Sequence, residues 1–244
     1  MSEHLVAGVA GAGAFGGHHA RKYAALDGVK MGAVYDIDAA RAEALAAGCG
    51  AIAYSDYKKF LDAVDIVTVA ASATAHYPLA RAALAAGKHA LLEKPLATTL
   101  DHADQLIALA HRKGLVLQVG HQERFVADAF GVLTRPAPPR SVWCQRHNPK
   151  TGRGEDVSVI LDLMIHDLDL VQQLGLGGLV SVVARGDADG VEAELQRFGV
   201  QANRDAGSIE GVFQVDNPDG RLLPGMRAEF EIIVETRPNL LTIP

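Results

Sequence analysis

The stretch Leu5–Gly17, LVAGVAGAGAFGG, passes from a short apolar run into a loop with glycines at positions 11, 13 and 16. The run Leu5–Ala10 is typical of a strand that is buried on both faces. Gly11 permits a tight turn, Gly13 lets the backbone approach a pyrophosphate, and Gly16 lets a helix pack closely on the strand. A plain glycine-rich turn is the alternative. The order of strand, loop and helix favours the Rossmann fold of dinucleotide-binding proteins.

Asp36 follows the second predicted strand, about 20 residues after the loop, which is the spacing expected for this fingerprint. A carboxylate there can accept hydrogen bonds from the hydroxyls of the adenosine ribose and would repel a 2′-phosphate. The position therefore favours NAD over NADP, and a surface acid beside a helix cap at Asp38 is the alternative. The candidate cofactor-binding residues from the loop and this strand are Gly11, Gly13, Ala14, Phe15, Gly16 and Asp36.

Strands and helices alternate up to about residue 122. The predicted strands are Leu5–Ala10, Val29–Tyr35, Ile66–Ala70, His89–Leu92 and Val116–Val119. The predicted helices are at about 17–27, 38–47, 56–64, 76–86 and 99–113. Left-handed C-terminal caps are expected at Gly48, Gly87 and Gly114, and an N-terminal cap at Thr98 or Thr99. This alternation predicts an α/β fold with a doubly wound parallel sheet.

The remaining residues, 123–244, are predicted to form a smaller, shortened α+β domain for substrate binding and oligomerisation. The run Arg135–Arg140, RPAPPR, suits neither a helix nor a central strand and marks a linker. One apolar helix follows at Val157–Leu174, and the pattern after residue 178 is one of short strands and turns. Those strands are expected near Leu179–Ala184, Ile209–Val215 and Arg227–Val234.

A narrow polar stripe runs along the predicted helix Val157–Leu174. Its members are Ser158, Asp162, His166, Asp169 and Gln173. Asp162 and His166 are one turn apart, and a carboxylate beside an imidazole suits general acid–base work. The alternatives are a solvent-facing stripe and a metal site. No third ligand stands at a persuasive spacing, so no metal is predicted.

Composition restricts the class of protein. Hydrophobic residues make up 49% of the 244 residues, and this argues against disorder. The net charge of −6 argues against a nucleic-acid partner. The presence of only two cysteines favours a reducing compartment. The apolar N-terminal run is rich in glycine and has no basic leader before it, so it is read as a strand rather than as a signal peptide. No apolar run is long enough to span a membrane, and together these features predict a cytoplasmic protein with no membrane partner.

Several ordered motifs resemble the Gfo/Idh/MocA oxidoreductases over residues 4 to about 185. Besides the glycine loop and Asp36, they are the segments 71-ASATAH-76, 93-EKPL-96, 120-GHQERF-125 and 162-DLMIHDLD-169. Members of this family oxidise or reduce hydroxyl-bearing carbons of sugars and polyols, usually with NAD or NADP. The resemblance implies hydride transfer on such a small molecule, by a protein that could form a homo-oligomer.

The resemblance also implies roles for individual residues. Lys94 is similar to the family lysine that contacts the nicotinamide ribose and the substrate, and it follows a strand at the edge where ligands bind. His166 is similar to the family's acid–base residue and Asp162 to its partner. The cofactor-binding candidates outside the loop are Ser72, His76, Glu93, Lys94 and Gln122. A surface lysine in a turn is the alternative for Lys94.

The sequence departs from this family after about residue 185. Residues 207–244 are similar to the C-terminal β segment of the periplasmic adaptor (membrane fusion) subunits of efflux pumps, and the whole chain then resembles a chimera. Any β-hairpin with the turn 217-NPDGR-221 is the alternative. Two further functions stay open on this account, a catalytically inactive NAD-binding protein and a structural adaptor.

Overall fold

The computed structural model describes part of the chain. The described residues are 4–134, 142, 144, 157 and 161–174, with the backbone alone of residues 160, 185–188, 191–194, 197–203, 208–212 and 229–230. The chain divides into two compact units, Met1–Gly120 and His121–Pro244.

The first unit is a six-stranded parallel sheet with helices between its strands. Its elements are β1 (Leu5–Ala10), α1 (Ala14–Ala24), β2 (Val29–Tyr35), α2 (Ala39–Cys49), β3 (Ile52–Tyr54), α3 (Tyr57–Asp62), β4 (Ile66–Val69), α4 (Ala73–Ala85), β5 (His89–Glu93), α5 (Leu100–Lys113) and β6 (Leu117–Gly120). The strand order is β3-β2-β1-β4-β5-β6. The predicted Rossmann-type α/β fold is therefore confirmed.

The core lies on both faces of this sheet. Val9 and Val34 belong to one buried cluster, and their neighbours Ala10 and Ala33 belong to the other. Consecutive strand residues point to opposite faces, so each cluster covers one side. Because the strands are buried on both faces, their sequences are mostly apolar and do not alternate between apolar and polar residues.

In the first unit, the main differences between the structure and the predictions are three. Strand β3 was not predicted, because its three residues are too few to show a period of two and its first residue, Ile52, is 63% exposed. Helix α1 begins at Ala14, directly in the glycine loop, rather than near residue 17. The cap of α2 is Gly50, with φ of +69°, because α2 runs past Gly48.

Other caps agree with the predictions. Gly87 and Gly114 have positive φ angles, and Gly114 is the C-cap of α5. Thr99 caps the N-terminus of α5 by accepting a hydrogen bond from the N–H of His102. Asp38 caps α2 by accepting from the N–H groups of Ala40 and Arg41.

The second unit combines helices with antiparallel strands, as the α+β prediction requires. Its described elements are α6 (Glu123–Ala129), a π-helical turn (Ile160–Met164), α7 (Ile165–Gln173), β7 (Arg185–Ala188), β8 (Val191–Glu194), β9 (Arg197–Asn203), β10 (Ser208–Val212) and β11 (Glu229–Phe230). Strands β11, β7 and β8 form one sheet, and β10 pairs with β9.

Several predictions for the second unit fall on residues that the structure does not describe. They concern the linker 135–140, the strand near residues 179–184 and Ser158 of the polar stripe. The predicted helix 157–174 is described from Ile160, and its first turn is π-helical rather than α-helical. Within the described part of the chain, no helix has the length and apolar character needed to cross a membrane.

Candidate active site

The glycine loop lies at the topological switch point of the sheet. Strand β1 has β2 on one side and β4 on the other, so the connections after β1 and β4 leave in opposite directions. Open α/β sheets bind ligands in the crevice at this point. The loop therefore occupies the expected position for a cofactor site.

Each glycine of the loop has distinct surroundings. Gly11 has φ of +107°, and a Cβ atom there would lie 2.4 Å from the carbonyl oxygen of Ala70. A Cβ atom at Gly16 would lie 1.7 Å from the carbonyl oxygen of Gly11, so the helix can approach the turn only without a side chain. At Gly13, a Cβ atom would meet no atom within 4 Å. Gly11 and Gly16 are thus required by the fold, whereas Gly13 faces open space.

The N-terminus of α1 is suited to an anion. Its N-cap is Gly13, which offers no side-chain acceptor to the first-turn N–H groups, and the first turn carries no acidic residue. Uncapped N–H groups and the positive end of the helix dipole favour a phosphate. Ala14 and Phe15 lie in this turn and are exposed. The open side at Gly13 and the uncapped turn together fit a pyrophosphate.

Asp36 is brought against the same loop. Its Oδ2 atom accepts a hydrogen bond from the N–H of Ala12 at 2.6 Å, and its Oδ1 atom accepts from the N–H of Asp38 at 2.9 Å. Because Asp38 caps α2, Asp36 does not serve as the helix cap. Each carboxylate oxygen can accept a second bond, so Asp36 keeps the capacity to contact a ribose.

Two candidates come from the chain after β4. Ser72 is the N-cap residue of α4 but makes no side-chain cap bond to it. His76 lies in the same helix with 1% of its surface exposed. Its Nδ1 atom lies 2.6 Å from the carbonyl oxygen of Pro95, and its Nε2 atom lies 3.1 Å from that of Ala71. His76 therefore joins the chain after β4 to the chain after β5.

The end of β5 holds Glu93 and Lys94. Glu93 is the last residue of the strand, and Lys94 follows it at the carboxyl edge of the sheet, as the sequence predicts. The Glu93 carboxylate meets the Nε2 atom of His19 in α1 at 2.6 Å. The first unit thus brings the loop, Asp36, Ser72, Glu93 and Lys94 to the strand ends of one sheet.

His19 is the residue that the sequence analysis overlooked. Its spacing of three from Gly16 places it beside the helix face that packs on the sheet, because residues three and four apart share a face. Gly16 and Ala20 are buried on that face, and this periodicity was the available signal.

In the second unit, an ion pair connects α6 and α7. The Nε atom of Arg124 donates to Oδ2 of Asp169 at 2.7 Å, and Nη2 of Arg124 donates to Oδ1. This hydrogen-bonded carboxylate raises the pKa of Arg124. The Nδ1 atom of His121 lies 3.9 Å from Oδ2 of Asp169, whose side chain is 5% exposed. Gln122 lies between these residues, as the N-cap residue of α6.

The polar stripe is only partly at the surface. His166 and Asp169 are buried, at 8% and 6% exposed, whereas Gln173 is exposed. The solvent-facing alternative is therefore wrong for His166 and Asp169. Asp162 is half-buried in the π-helical turn, and His166 lies in the first turn of α7.

The family match covers the first unit, and the matches to individual proteins cover more of the chain. Residues 5–121 match the family model GFO_IDH_MocA, described as an oxidoreductase family with an NAD-binding Rossmann fold. UDP-N-acetylglucosamine 3-dehydrogenase of Acidithiobacillus ferrooxidans is 38% identical over 187 residues, which are 76% of this chain and 59% of that protein. Inositol 2-dehydrogenase of Cereibacter sphaeroides ATCC 17023 is 35% identical over 176 residues, 68% of this chain and 53% of that protein.

One solved structure adds a cofactor to the comparison. GenD2 from gentamicin A biosynthesis, solved in complex with NAD, is 25% identical with a TM-score of 0.65, covering 97% of this chain and 72% of its own. The chain spans less than two thirds of the length of the two curated dehydrogenases. The glycine loop, the sheet order and the family match agree, and the N-terminal part of this chain, residues 5–121, belongs to the Gfo/Idh/MocA oxidoreductase family with its NAD-binding Rossmann fold.

Proposed function

We propose that this protein is an NAD-dependent oxidoreductase that acts on a hydroxyl-bearing carbon of a sugar or polyol. The observation that carries the proposal is the loop at the switch point, where Gly13 faces open space beside an uncapped helix N-terminus and Asp36. The named relatives that act on UDP-N-acetylglucosamine and inositol support the substrate class.

The preference for NAD over NADP rests on Asp36. Its carboxylate stands at the end of β2 beside the loop, where it would accept hydrogen bonds from ribose hydroxyls and repel a 2′-phosphate. Gly11, Gly13, Ala14, Phe15 and Gly16 hold the pyrophosphate with backbone groups. Ser72, Glu93 and Gln122 complete the cofactor-binding set, and His76 contributes by joining the two chain segments that it contacts.

Three residues act in the chemistry. The chemistry that bound NAD would supply is that of a hydride acceptor for the substrate carbon. His166 takes the hydroxyl proton on an imidazole nitrogen, and Asp162 acts as its partner. Lys94 holds the substrate oxygen and stabilises its developing negative charge through its ammonium group. In the reverse direction, His166 returns the proton to the carbonyl oxygen.

Turnover tests the activity directly. We expect the unmutated protein to form NADH with UDP-N-acetylglucosamine, myo-inositol or a related polyol, followed by NADH absorbance. His166→Ala and Lys94→Met should each lower kcat by about 10²–10⁴-fold. His166→Ala should leave cofactor affinity nearly unchanged. Near-normal kcat in either variant would remove that residue from the mechanism.

Cofactor choice is tested by two variants of Asp36. Asp36→Asn keeps an acceptor for the N–H of Ala12 but loses the charge, whereas Asp36→Ala loses both. We expect both to narrow the affinity gap between NAD and NADP, with the smaller loss of NAD affinity in Asp36→Asn. Equal or better NADP binding by the unmutated protein would overturn the assignment.

Two other functions lead to different outcomes of the same measurements. A catalytically inactive NAD-binding protein would bind NADH without turnover across the panel. A structural adaptor would bind no NADH. The similarity of residues 207–244 to adaptor subunits stays a prediction, as do a cytoplasmic location and a homo-oligomer.

A further inference from the structure

A hydrogen bond joins α1 to the end of β5. The Nε2 atom of His19 lies 2.6 Å from Oε1 of Glu93, and their side chains are 23% and 13% exposed. A carboxylate can only accept, so His19 donates from Nε2. A carboxylate this far from water needs such a partner, because burying an unpaired charge is costly.

A glycine in β6, Gly120, leaves space for the Glu93 carboxylate. Glu93 is paired with Gly120 across the two strands. A Cβ atom at Gly120 would lie 3.1–3.2 Å from the carboxyl atoms of Glu93, tighter than ordinary contact. The carboxylate therefore meets His19 and also lies close to Gly120, where a side chain would crowd it.

The bond spans the strand ends where the cofactor site lies. Strand β4 separates β1 from β5 in the sheet, so His19, on the helix after β1, reaches past β4 to meet Glu93. One end of this connection is the helix that begins at the pyrophosphate loop. The other end is the residue directly before Lys94.

We propose that His19 is a positioning residue that fixes Glu93 against α1 and thereby sets where Lys94 stands for the nicotinamide half of the cofactor. The inference rests on the proposed function, which places NAD at this edge. Losing the bond would leave the carboxylate without its donor and let the chain at Glu93 and Lys94 shift. The pyrophosphate loop, held by Gly11 and Gly16, would keep its shape.

Binding of two ligands separates this role from a general effect on α1. ADP carries the adenosine and pyrophosphate groups, whereas NADH carries the nicotinamide ribose as well. We expect His19→Ala to weaken NADH binding by about 10-fold, the effect of one charge-assisted hydrogen bond, and to change ADP binding by less than about twofold. His19→Gln, whose side-chain amide can donate to Glu93, should restore most of the NADH affinity.

His18→Ala is the matched control. His18 is the neighbouring residue on the same helix, is exposed, and contacts Arg21. Both ligands should bind this variant within about twofold of the unmutated protein. Gly120→Ala tests the same arrangement from β6 without changing α1, and it should also weaken NADH binding more than ADP binding.

The possible results are distinguishable. Equal weakening of NADH and ADP by His19→Ala would show that His19 only maintains α1, and unchanged NADH binding would show no role; either result overturns the inference. If His19→Ala fails to fold, His19→Gln and Gly120→Ala decide by the same comparison. A lack of NADH binding by the unmutated protein would instead overturn the proposed function itself.

Discussion

Gly13 and Gly16 stand three residues apart in one loop, and their surroundings are opposite. Added carbon at Gly16 would collide with backbone, whereas added carbon at Gly13 would enter open space. Gly16 is therefore needed for the fold, whereas no protein atom within 4 Å requires a glycine at position 13, where we propose that the pyrophosphate lies. The sequence motif predicts different roles for the two glycines, and the different surroundings of the two positions are consistent with that prediction.

We expect Gly16→Ala to destabilise the protein by several kcal/mol, because backbone must move to accept the methyl group. Gly13→Ala should fold with nearly unchanged stability and lose affinity for NADH, since the methyl group fills the space of the pyrophosphate. Urea unfolding and NADH titration measure the two effects. The assignment fails if Gly13→Ala unfolds as readily as Gly16→Ala or binds NADH normally.

At the scale of elements, the ion pair of Arg124 and Asp169 joins α6 to α7, the helix that carries His166. Asp169 is buried, so its carboxylate needs the hydrogen bonds of Arg124, whereas Arg124 is partly exposed and its guanidinium can also be hydrated by water. Removing the arginine leaves a buried carboxylate without its bidentate donor.

Arg124→Ala should lower the free energy of unfolding by about 1–3 kcal/mol. Arg112→Ala, at an exposed arginine near the end of α5, is the control and should change stability by less than about 0.5 kcal/mol. Urea unfolding followed by circular dichroism makes the comparison. Equal stability of the two variants would mean that the ion pair contributes nothing measurable.

Much of the element order follows from sequence, for local reasons. Strands β1 and β2 have their predicted bounds because each is a mostly apolar run, and β1 ends at a glycine loop and β2 at an acid. The cap at Gly50 was not predicted because Gly48, two residues earlier, is also a suitable cap residue, and β3 was not predicted because three residues are too few to show a period of two. The hydrogen bond of His19 with Glu93 joins residues 74 positions apart, and no local pattern encodes such a contact.

At the scale of the whole molecule, the first unit has the properties of an independent domain. Its sheet is covered on both faces by separate apolar clusters, and both clusters consist of residues before Gly120. Its candidate cofactor residues, apart from Gln122, lie within it as well. Folding and cofactor binding should therefore need no contribution from the second unit.

A fragment ending at Gly120 should fold cooperatively and bind NADH within about tenfold of the intact chain. Circular dichroism and NADH titration check this, with the same fragment carrying Gly16→Ala as the control that should fail to fold. An unfolded fragment, or one that folds without binding NADH, would show that residues after Gly120 are needed.

The contact between His19 and Glu93 also constrains how this chain can be recombined with its relatives. A crossover anywhere between positions 20 and 92 takes the imidazole from one parent and the carboxylate from the other. A hybrid whose first parent has no hydrogen-bond donor at position 19 would leave the Glu93 carboxylate, next to Lys94, without this hydrogen bond. Libraries that shuffle this chain with its relatives should accordingly recover hybrids that bind NADH more often when these two positions are inherited together.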